Sequence, residues 1–425
     1  MTELGPSPLS AGERQISVAD ARATIAAALR PLSQHETVPL ADALGRVLAA
    51  DVVSPIDVPA HDNSAMDGWA FDGGALSADA PLVLTEVATV FAGAPLAGRV
   101  KLGQCVRIMT GAVMPAGADT VVPLELARAE GASVQVPAGV VRAGDNLRRR
   151  GEDLARGKPA LRAGRVLRPA DLGLAASLGL TRLQVLRRLR VALFSTGDEL
   201  REPGAALDEG CIYDSNRTSL GAAVRRLGFE LVDLGLVRDE PAALAATLRE
   251  ALARADVVLT SGGVSMGDAD HTRELLARHG EVAFWKVAMR PGRPFAFGPL
   301  RRDGDGGDEP AWLFALPGNP VAALVTFYAF VRDALWQLAG ASPQPVPVLQ
   351  ARSVQAIRKR PGRTEFQRAV VEPGPEGWQV RLTGSQGAGI LRSMSEANAL
   401  LVLRHEQGPV AAGEAVDVWL FDGLV

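Results

Sequence analysis

The stretch TSGGVSMGDADHT at residues 260–272 carries more chemistry than a turn requires. It follows the apolar run ADVVL, which reads as a buried strand, and precedes ELLARHG, which has helical spacing. Gly262 and Gly263 let backbone N–H groups approach a ligand, and a helix N-terminus favours an anion. The hydroxyls of Ser261 and Ser265 add donors. Asp268 and Asp270 would repel a phosphate unless a divalent cation lay between them. Mg²⁺ bridges in this way, with one or two carboxylates plus phosphate oxygens. The turn therefore points to a phosphate and its metal.

Three further strand ends carry similar clusters. FSTGDEL places Ser195, Thr196, Gly197, Asp198 and Glu199 past a strand, LVRDEP places Asp239 and Glu240, and ALPGNP places Gly318 and Asn319 before a long helix. Each has a structural explanation on its own. Asp239 ahead of Pro241 is a good N-cap, Asp270 can cap the next helix, and Gly318 permits a sharp turn. Together they read as one site, because an α/β sheet binds ligands beyond the C-terminal ends of its strands. Basic residues supply the opposite charge: Lys286, Arg290 and Arg293 in FWKVAMRPGRPFAFG, Arg148 to Arg150 beside Glu152 and Asp153 in NLRRRGED, and Arg363 and Arg368 in RTEFQRA. Arg149 and Arg363 read as solvated edges, whereas Lys286 stands beside Trp285 within an apolar strand. In DNSAMDGWAF, Asp62, Asn63, Ser64 and Asp67 fit consecutive Asx turns.

The elements that must position these groups follow from periodicity. Ser17 and VADARATIAAALR read as an N-cap and an amphipathic helix, and ADALGRVLAADV as a second helix. Short β runs separated by Gly, Pro and Asp turns then indicate an all-β insertion. From about residue 190, strands and helices alternate, which implies a mostly parallel sheet with helices on both faces. A proline-rich linker, ASPQPVPVLQ, leads to a terminal β region, and RRDGDGGDEP reads as a polar hairpin or loop.

Composition narrows the class. The chain has 425 residues, 47% hydrophobic and 22% charged, with a net charge of −3. That length suggests ~3 domains, and the charge balance argues against an overall nucleic-acid binder. Two cysteines cannot build a disulfide framework or a cysteine zinc cluster. The N-terminus shows no signal-peptide pattern, and the longest apolar stretch, VAALVTFYAFV, falls short of the ~20 residues that span a bilayer. The expectation is a cytoplasmic protein with neither a nucleic-acid nor a membrane partner.

DNSAMDGWA, RIMTGA, NLRRRGED, VALFSTGDEL, IYDSN, TSGGVSMGDAD, FWKVAMRPGRPFAFG, LPGNPV and GRTEFQR occur in this order. From about residue 17 to the end the chain resembles the molybdopterin molybdenumtransferase family, to which the C-terminal domain of gephyrin also belongs. The resemblance implies a multidomain α/β and β protein. Its parts are an elongated helical N-terminal domain (1–50 and 151–187) with an inserted β domain (51–150), a three-layer α/β molybdopterin-binding domain (188–340) and a small C-terminal β-barrel-like domain (347–425). It further implies a homodimer with sites shared between subunits. The implied reaction takes adenylylated molybdopterin and molybdate to molybdenum cofactor and AMP with Mg²⁺, and a molybdopterin adenylyltransferase is a candidate partner.

By motif position, the resemblance makes Asp67, Asp153, Glu199, Asp239 and Asp270 catalytic, with Glu199, Asp239 and Asp270 also the metal set. Substrate contacts fall to Thr110, Ser195, Thr196, Gly197, Ser261, Gly262, Gly263, Ser265, Gly318 and Asn319, with Lys286, Arg290, Arg293 and Arg368 as the molybdate site. Departures are visible. Arginines stand at 290 and 293 where lysine is common, Ala322 and Ala388 where serine is usual, and Trp69 and His271 where tyrosine is frequent. Arginine keeps the charge but offers a planar fork in place of a point donor. A gephyrin-like binding scaffold and a molybdopterin adenylyltransferase are the rival readings. The first would tolerate eroded acidic turns, and the second would need neither the insertion nor the terminal domain.

Overall fold

The computed structural model describes residues 15–262, 279–302 and 309–424. The chain opens with β1 (Gln15–Ile16) and α1 (Val18–Ala28), where the Ser17 side chain accepts from the Asp20 amide as N-cap. β2 (His35–Pro39), β3 (Val52–Val53) and β4 (Asn63–Ser64) follow. Next comes a six-stranded insertion: β5 (Gly68–Phe71), β6 (Leu82–Val90), β7 (Gln104–Ile108), β8 (Thr120–Pro123), β9 (Arg128–Glu130) and β10 (Ser133–Val136). The chain then retraces its outward path through β11 (Leu147–Arg148), β12 (Pro159–Leu161), α2 (Pro169–Ser177) and β13 (Arg182–Leu186). β11 pairs antiparallel with β4, β12 with β3 and β13 with β2, so the insertion is carried between two antiparallel limbs.

Strand alternation explains the insertion. Trp69, Phe71, Cys105 and Val122 enter one buried cluster, while Ala70, Val106 and Val121 enter another. Successive side chains point to opposite faces, so both faces of this sheet are covered. The helix expected over ADALGRVLAADV is not formed. Only a single 3₁₀ turn, Leu40–Asp42, precedes extended chain. Gly45 sits at φ +71°, and Leu48 N–H bonds to the Arg165 carbonyl across the returning limb. Pairing with a distant strand here overrides local helix propensity.

The α/β unit contains β14 (Arg190–Thr196), β15 (Leu200–Arg201), β16 (Ile212–Tyr213), α3 (Ser215–Arg226), β17 (Glu230–Val237), α4 (Pro241–Arg254) and β18 (Val257–Ser261). β19 (Ala283–Val287), β20 (Met289–Arg290), β21 (Pro294–Leu300), β22 (Ala311–Leu316) and α5 (Pro320–Leu338) complete it. The sheet order is β1-β19-β21-β22-β18-β14-β17. From β22 to β17 all pairings are parallel, while β21 pairs antiparallel with both β19 and β22. Val191, Leu193, Val257, Leu259 and Phe314 join one core with residues of α1, α3 and α5, and Ala192, Phe194, Val258 and Leu313 join the other with α4. β1 and α1, expected in the elongated domain, belong to this unit. β1 pairs with β19, and Ala21, Ile25 and Leu29 lie in the main core. α5 is long and apolar enough to cross a membrane, but 83% of that span is buried inside the protein. Phe327 and Phe330 are fully buried there, each contributing about 1.5–3 kcal/mol.

The final unit comprises β23 (Val348–Ser353), β24 (Thr364–Gly374), β25 (Gly377–Leu382), α6 (Leu391–Glu396), β26 (Ala399–Leu403) and β27 (Ala415–Leu420). The order β24-β25-β23-β27-β26 closes through a β24–β26 pairing into a five-stranded barrel. β20 adds to β24 in parallel, tying the barrel to the α/β unit. All but the last two residues of the helix expected from TRELLARHG lie outside the described residues, as do Gly263, Ser265, Asp268, Asp270 and His271. So does most of RRDGDGGDEP, whose flanking strands β21 and β22 pair antiparallel.

Candidate active site

Three strand-end turns meet at one edge of the sheet. β14 runs out through Ser195 and Thr196 to Gly197, where φ is +149° and a Cβ would lie 2.6 Å from a Glu199 carboxylate oxygen. β18 ends at Ser261 and Gly262. Gly262 has φ +92°, and a Cβ there would stand 2.4 Å from the Thr196 carbonyl. Only glycine tolerates both the dihedral and the approach. A Cβ on Gly318, past β22, would lie 3.8 Å from Gly262 Cα, so the third turn touches the second. Asn216, two residues into α3, pins this arrangement. Its Nδ2 donates to Ser261 Oγ at 2.7 Å and to the Gly318 carbonyl at 2.6 Å. Sequence reasoning did not select Asn216, although it closes the IYDSN motif. Ser195 Oγ is buried beside this pin with no hydrogen-bond partner among the described residues.

Acidic groups flank the glycine turns. Asp198, Glu199 and Asp239 are exposed, and the Asp239 amide lies 3.4 Å from Asp198 Oδ1. Partial burial first, then the charges of Asp198 and Glu199, push the Asp239 carboxyl above the usual range against the opposing Thr196 hydroxyl. Asp239 does not cap α4. The N-cap is Glu240, without a side-chain cap bond. Three mutually repelling carboxylates stand beside turns shaped for close backbone approach, but among the described residues no group of three acidic, histidine or cysteine side chains is arranged to hold a metal ion.

The N-terminal motifs are gathered with one another. Asp67 accepts from the Thr110 amide at 2.7 Å and hydroxyl at 2.6 Å. These bonds hold its carboxyl below the usual range, the hydroxyl contributing first. Asn63 pairs with Arg148, and Asp62 accepts from the Arg150 amide. Asp153 is exposed, its amide bonded to the Val58 carbonyl. DNSAMD, RIMTGA and NLRRRGED are thus joined to one another. Among the described residues, no hydrogen bond links Asp67, Thr110 or Asp153 to the strand-end edge.

The basic candidates divide as well. Lys286 lies in β19 opposite Gln15 and Pro294. Arg290 and Arg293 are exposed on the turn leading to β21, and Arg290 stands in register with Glu365 of the barrel.

Three family profiles match in succession: the MoeA N-terminal region (domain I and II) over residues 16–179, a probable molybdopterin binding domain over 192–337, and the MoeA C-terminal region (domain IV) over 350–421. The molybdopterin molybdenumtransferase of Haemophilus influenzae is 39% identical, covering 92% of this chain and 95% of its own. The chain belongs to the molybdopterin molybdenumtransferase family. Molybdopterin molybdenumtransferase 2 of Mycobacterium tuberculosis is 38% identical over the same shares. The crystal structure of the molybdopterin biosynthesis moeA protein from Pyrococcus horikoshii OT3 superposes with a TM-score of 0.81 at 29% identity. It covers 96% of this chain and 100% of that one.

In this transferase, Arg368 differs from its expected place as an anion contact. It is fully buried, with 0% of its surface exposed. Its Nε donates to Ser393 Oγ at 3.0 Å, Nη1 to the Gln386 carbonyl at 3.3 Å, and Nη2 to the carbonyls of Ser385 at 3.2 Å and Gly387 at 2.8 Å. Burial, with the nearby charge of Arg290, lowers its pKa to about 10. The guanidinium therefore organises the 384–389 loop from beneath. That loop reaches the transferase's α/β edge, since the Val321 amide at the start of α5 donates to the Ala388 carbonyl at 3.0 Å. Asn319, at the α5 N-cap, makes no side-chain cap bond.

Proposed function

We propose that this transferase inserts molybdenum from molybdate into adenylylated molybdopterin and releases AMP, in the last step of molybdenum cofactor biosynthesis. The observation that carries this reading is the clustering of Asp198, Glu199 and Asp239 beside the Gly197, Gly262 and Gly318 turns. Such turns suit a phosphoanhydride, and carboxylates among them suit one only when a cation intervenes. Glu199 and Asp239, with Asp270, would hold Mg²⁺. The ion would supply charge stabilisation to the departing AMP phosphate.

The chain's own residues do the rest. The turns at 196–197, 261–262 and 318–319 orient the pterin phosphates, and exposed Asn319 brings an amide group to the same edge, while the hydroxyls of Ser195 and Ser261, expected as substrate contacts, stay buried beneath α3. Exposed Arg290 and Arg293, with Lys286, concentrate positive charge for molybdate, a dianion suited to charge-assisted hydrogen bonds. Arg368 keeps the 384–389 loop against α5. Asp67, Thr110 and Asp153 serve the site of a partner subunit in a cytoplasmic homodimer; among the described residues none of them is hydrogen-bonded to the strand-end edge of its own chain.

The test is AMP release from adenylylated molybdopterin, followed with and without molybdate and with and without Mg²⁺. Release that requires Mg²⁺ and rises with molybdate is expected. Adenylylation of molybdopterin by ATP, with no consumption of the adenylylated form, would favour the adenylyltransferase. Absence of both reactions, with receptor or cytoskeletal binding, would favour a scaffold.

A further inference from the structure

Asn216 is 7% exposed, and its amide orientation is decided by its surroundings. The Gly318 carbonyl can only accept, so the group 2.6 Å from it must be Nδ2. The same nitrogen donates to Ser261 Oγ at 2.7 Å. One side chain thus ties the end of β18 to the turn after β22. Its own base is rigid. Asp214 caps α3 by accepting from the Arg217 amide at 3.1 Å, and Arg217 is held in turn by Asp233 at 2.8 Å and by Glu202. Ser195 and Ser261 are register partners in adjacent parallel strands, about 4.8 Å apart at the backbone. Both lie on the face that α3 covers, because Val191, Leu193, Val257 and Leu259 enter the core beneath it. Asn216 Oδ1 and Ser195 Oγ are both buried without a partner among the described residues.

We infer that Asn216 is a positioning residue of the molybdopterin site, setting the Gly262 and Gly318 turns at the spacing that the ligand's phosphate-bearing end requires. The inference rests on molybdopterin binding at this edge. Its mechanism is mechanical and local. Without the Nδ2 bonds, the strands keep their register and the Gly262 amide still donates to the Leu316 carbonyl, but the Gly318 turn loses its tie to Ser261 and its backbone groups no longer converge with those at Gly262.

Binding of molybdopterin to the full-length protein tests this, with melting temperature measured alongside. Wild-type protein that binds no molybdopterin would remove the functional reading before any variant is compared. Asn216→Ala should raise Kd about 10- to 100-fold, the combined effect of two neutral hydrogen bonds, and Ser261→Ala about 2- to 10-fold. Asn216→Ala combined with Ser261→Ala should be no weaker than Asn216→Ala alone, because one bond is lost in both. Fully additive losses, or wild-type affinity in a folded Asn216→Ala protein, would overturn the inference. Asn216→Asp is isosteric and gives a second reading should the alanine variant fail to fold. Its carboxylate places an oxygen against the Gly318 carbonyl, so Kd should rise at pH 8 and recover toward wild type at pH 5, as protonation restores a donor. A pH profile parallel to wild type would sink the proposal.

Discussion

Replacing Arg368 separates two roles that sequence alone does not distinguish. If its guanidinium met molybdate directly, Arg368→Lys would keep the charge and much of the function, while Arg368→Met would lose it. If it braces the 384–389 loop, both should fail alike, because a lysine supplies a point donor and cannot reach Ser385, Gln386, Gly387 and Ser393 together. The magnitude follows from those bonds. Each hydrogen bond from a charged donor contributes about 1.5–3 kcal/mol, but the four share one desolvated group and do not add. Removing one partner from a buried charged arrangement costs about 3–5 kcal/mol. Part of that is recovered as the loop carbonyls move into water, so a loss of about 3 kcal/mol is expected for either variant. The assay is molybdate-dependent turnover against molybdate concentration, with thermal unfolding in parallel. Molybdate KM should rise similarly in both, with a lowered melting temperature. A stable Arg368→Lys protein with near wild-type molybdate KM, against a crippled Arg368→Met, would refute the bracing role.

Asp239→Asn should stabilise the protein at neutral pH while abolishing Mg²⁺-dependent AMP release. The folded Asp239 carboxyl titrates above the ordinary value, so its penalty is present above that folded pKa and vanishes below the unfolded one. The gain in melting temperature should accordingly fade as pH drops toward ~4, and Mg²⁺ should raise the melting temperature of wild type more than that of the variant. At the opposite end of the sheet, Asp256 accepts from Arg187 at 2.7 and 2.8 Å and from the Arg190 amide at 2.9 Å. Asp256→Ala should cost about 3–5 kcal/mol in denaturant unfolding with kcat unchanged wherever the protein is folded. Mixing Asp67→Ala with Asp239→Ala subunits should restore activity, since one of the two shared sites then carries neither lesion. An inactive mixture containing verified heterodimers would rule out shared sites.

The strand–helix alternation after residue 190 and the return of β pattern after the proline-rich linker were legible because each element buries one face and its period shows. The acidic and glycine turns were legible by type, and topology places those of the described residues on one edge. Direction was harder to read. Arg368 reads by motif position as a molybdate contact, yet it shares a strand face with Phe366, which enters the main core. Period-2 alternation in RTEFQRA already turned it inward. ADALGRVLAADV has helical composition, but its groups are paired with the returning limb more than 100 residues away. α1 was assigned to the wrong neighbour for the same reason. An amphipathic stripe shows that a face is buried, and leaves open which partner buries it. Asn216 escaped notice because a single asparagine in a helix's first turn has no periodic signature.

The departures at 290, 293, 322 and 388 bear on how such a site meets an oxyanion. Ala322 is buried within α5, where a serine hydroxyl would need a partner of its own. At 388 the backbone already acts, its carbonyl receiving the Val321 amide at the head of α5. Alanine at both positions leaves the loop-to-helix junction intact and removes only the hydroxyl donors. Arg368 is committed to that loop. On the proposed function, molybdate recognition therefore rests on the exposed Arg290 and Arg293, with Lys286 on the adjoining strand. A guanidinium fork can give an oxyanion two parallel N–H bonds where an ammonium gives one point charge. On the proposed function, arginine at 290 and 293 would offer molybdate the paired donors that alanine at 322 and 388 does not.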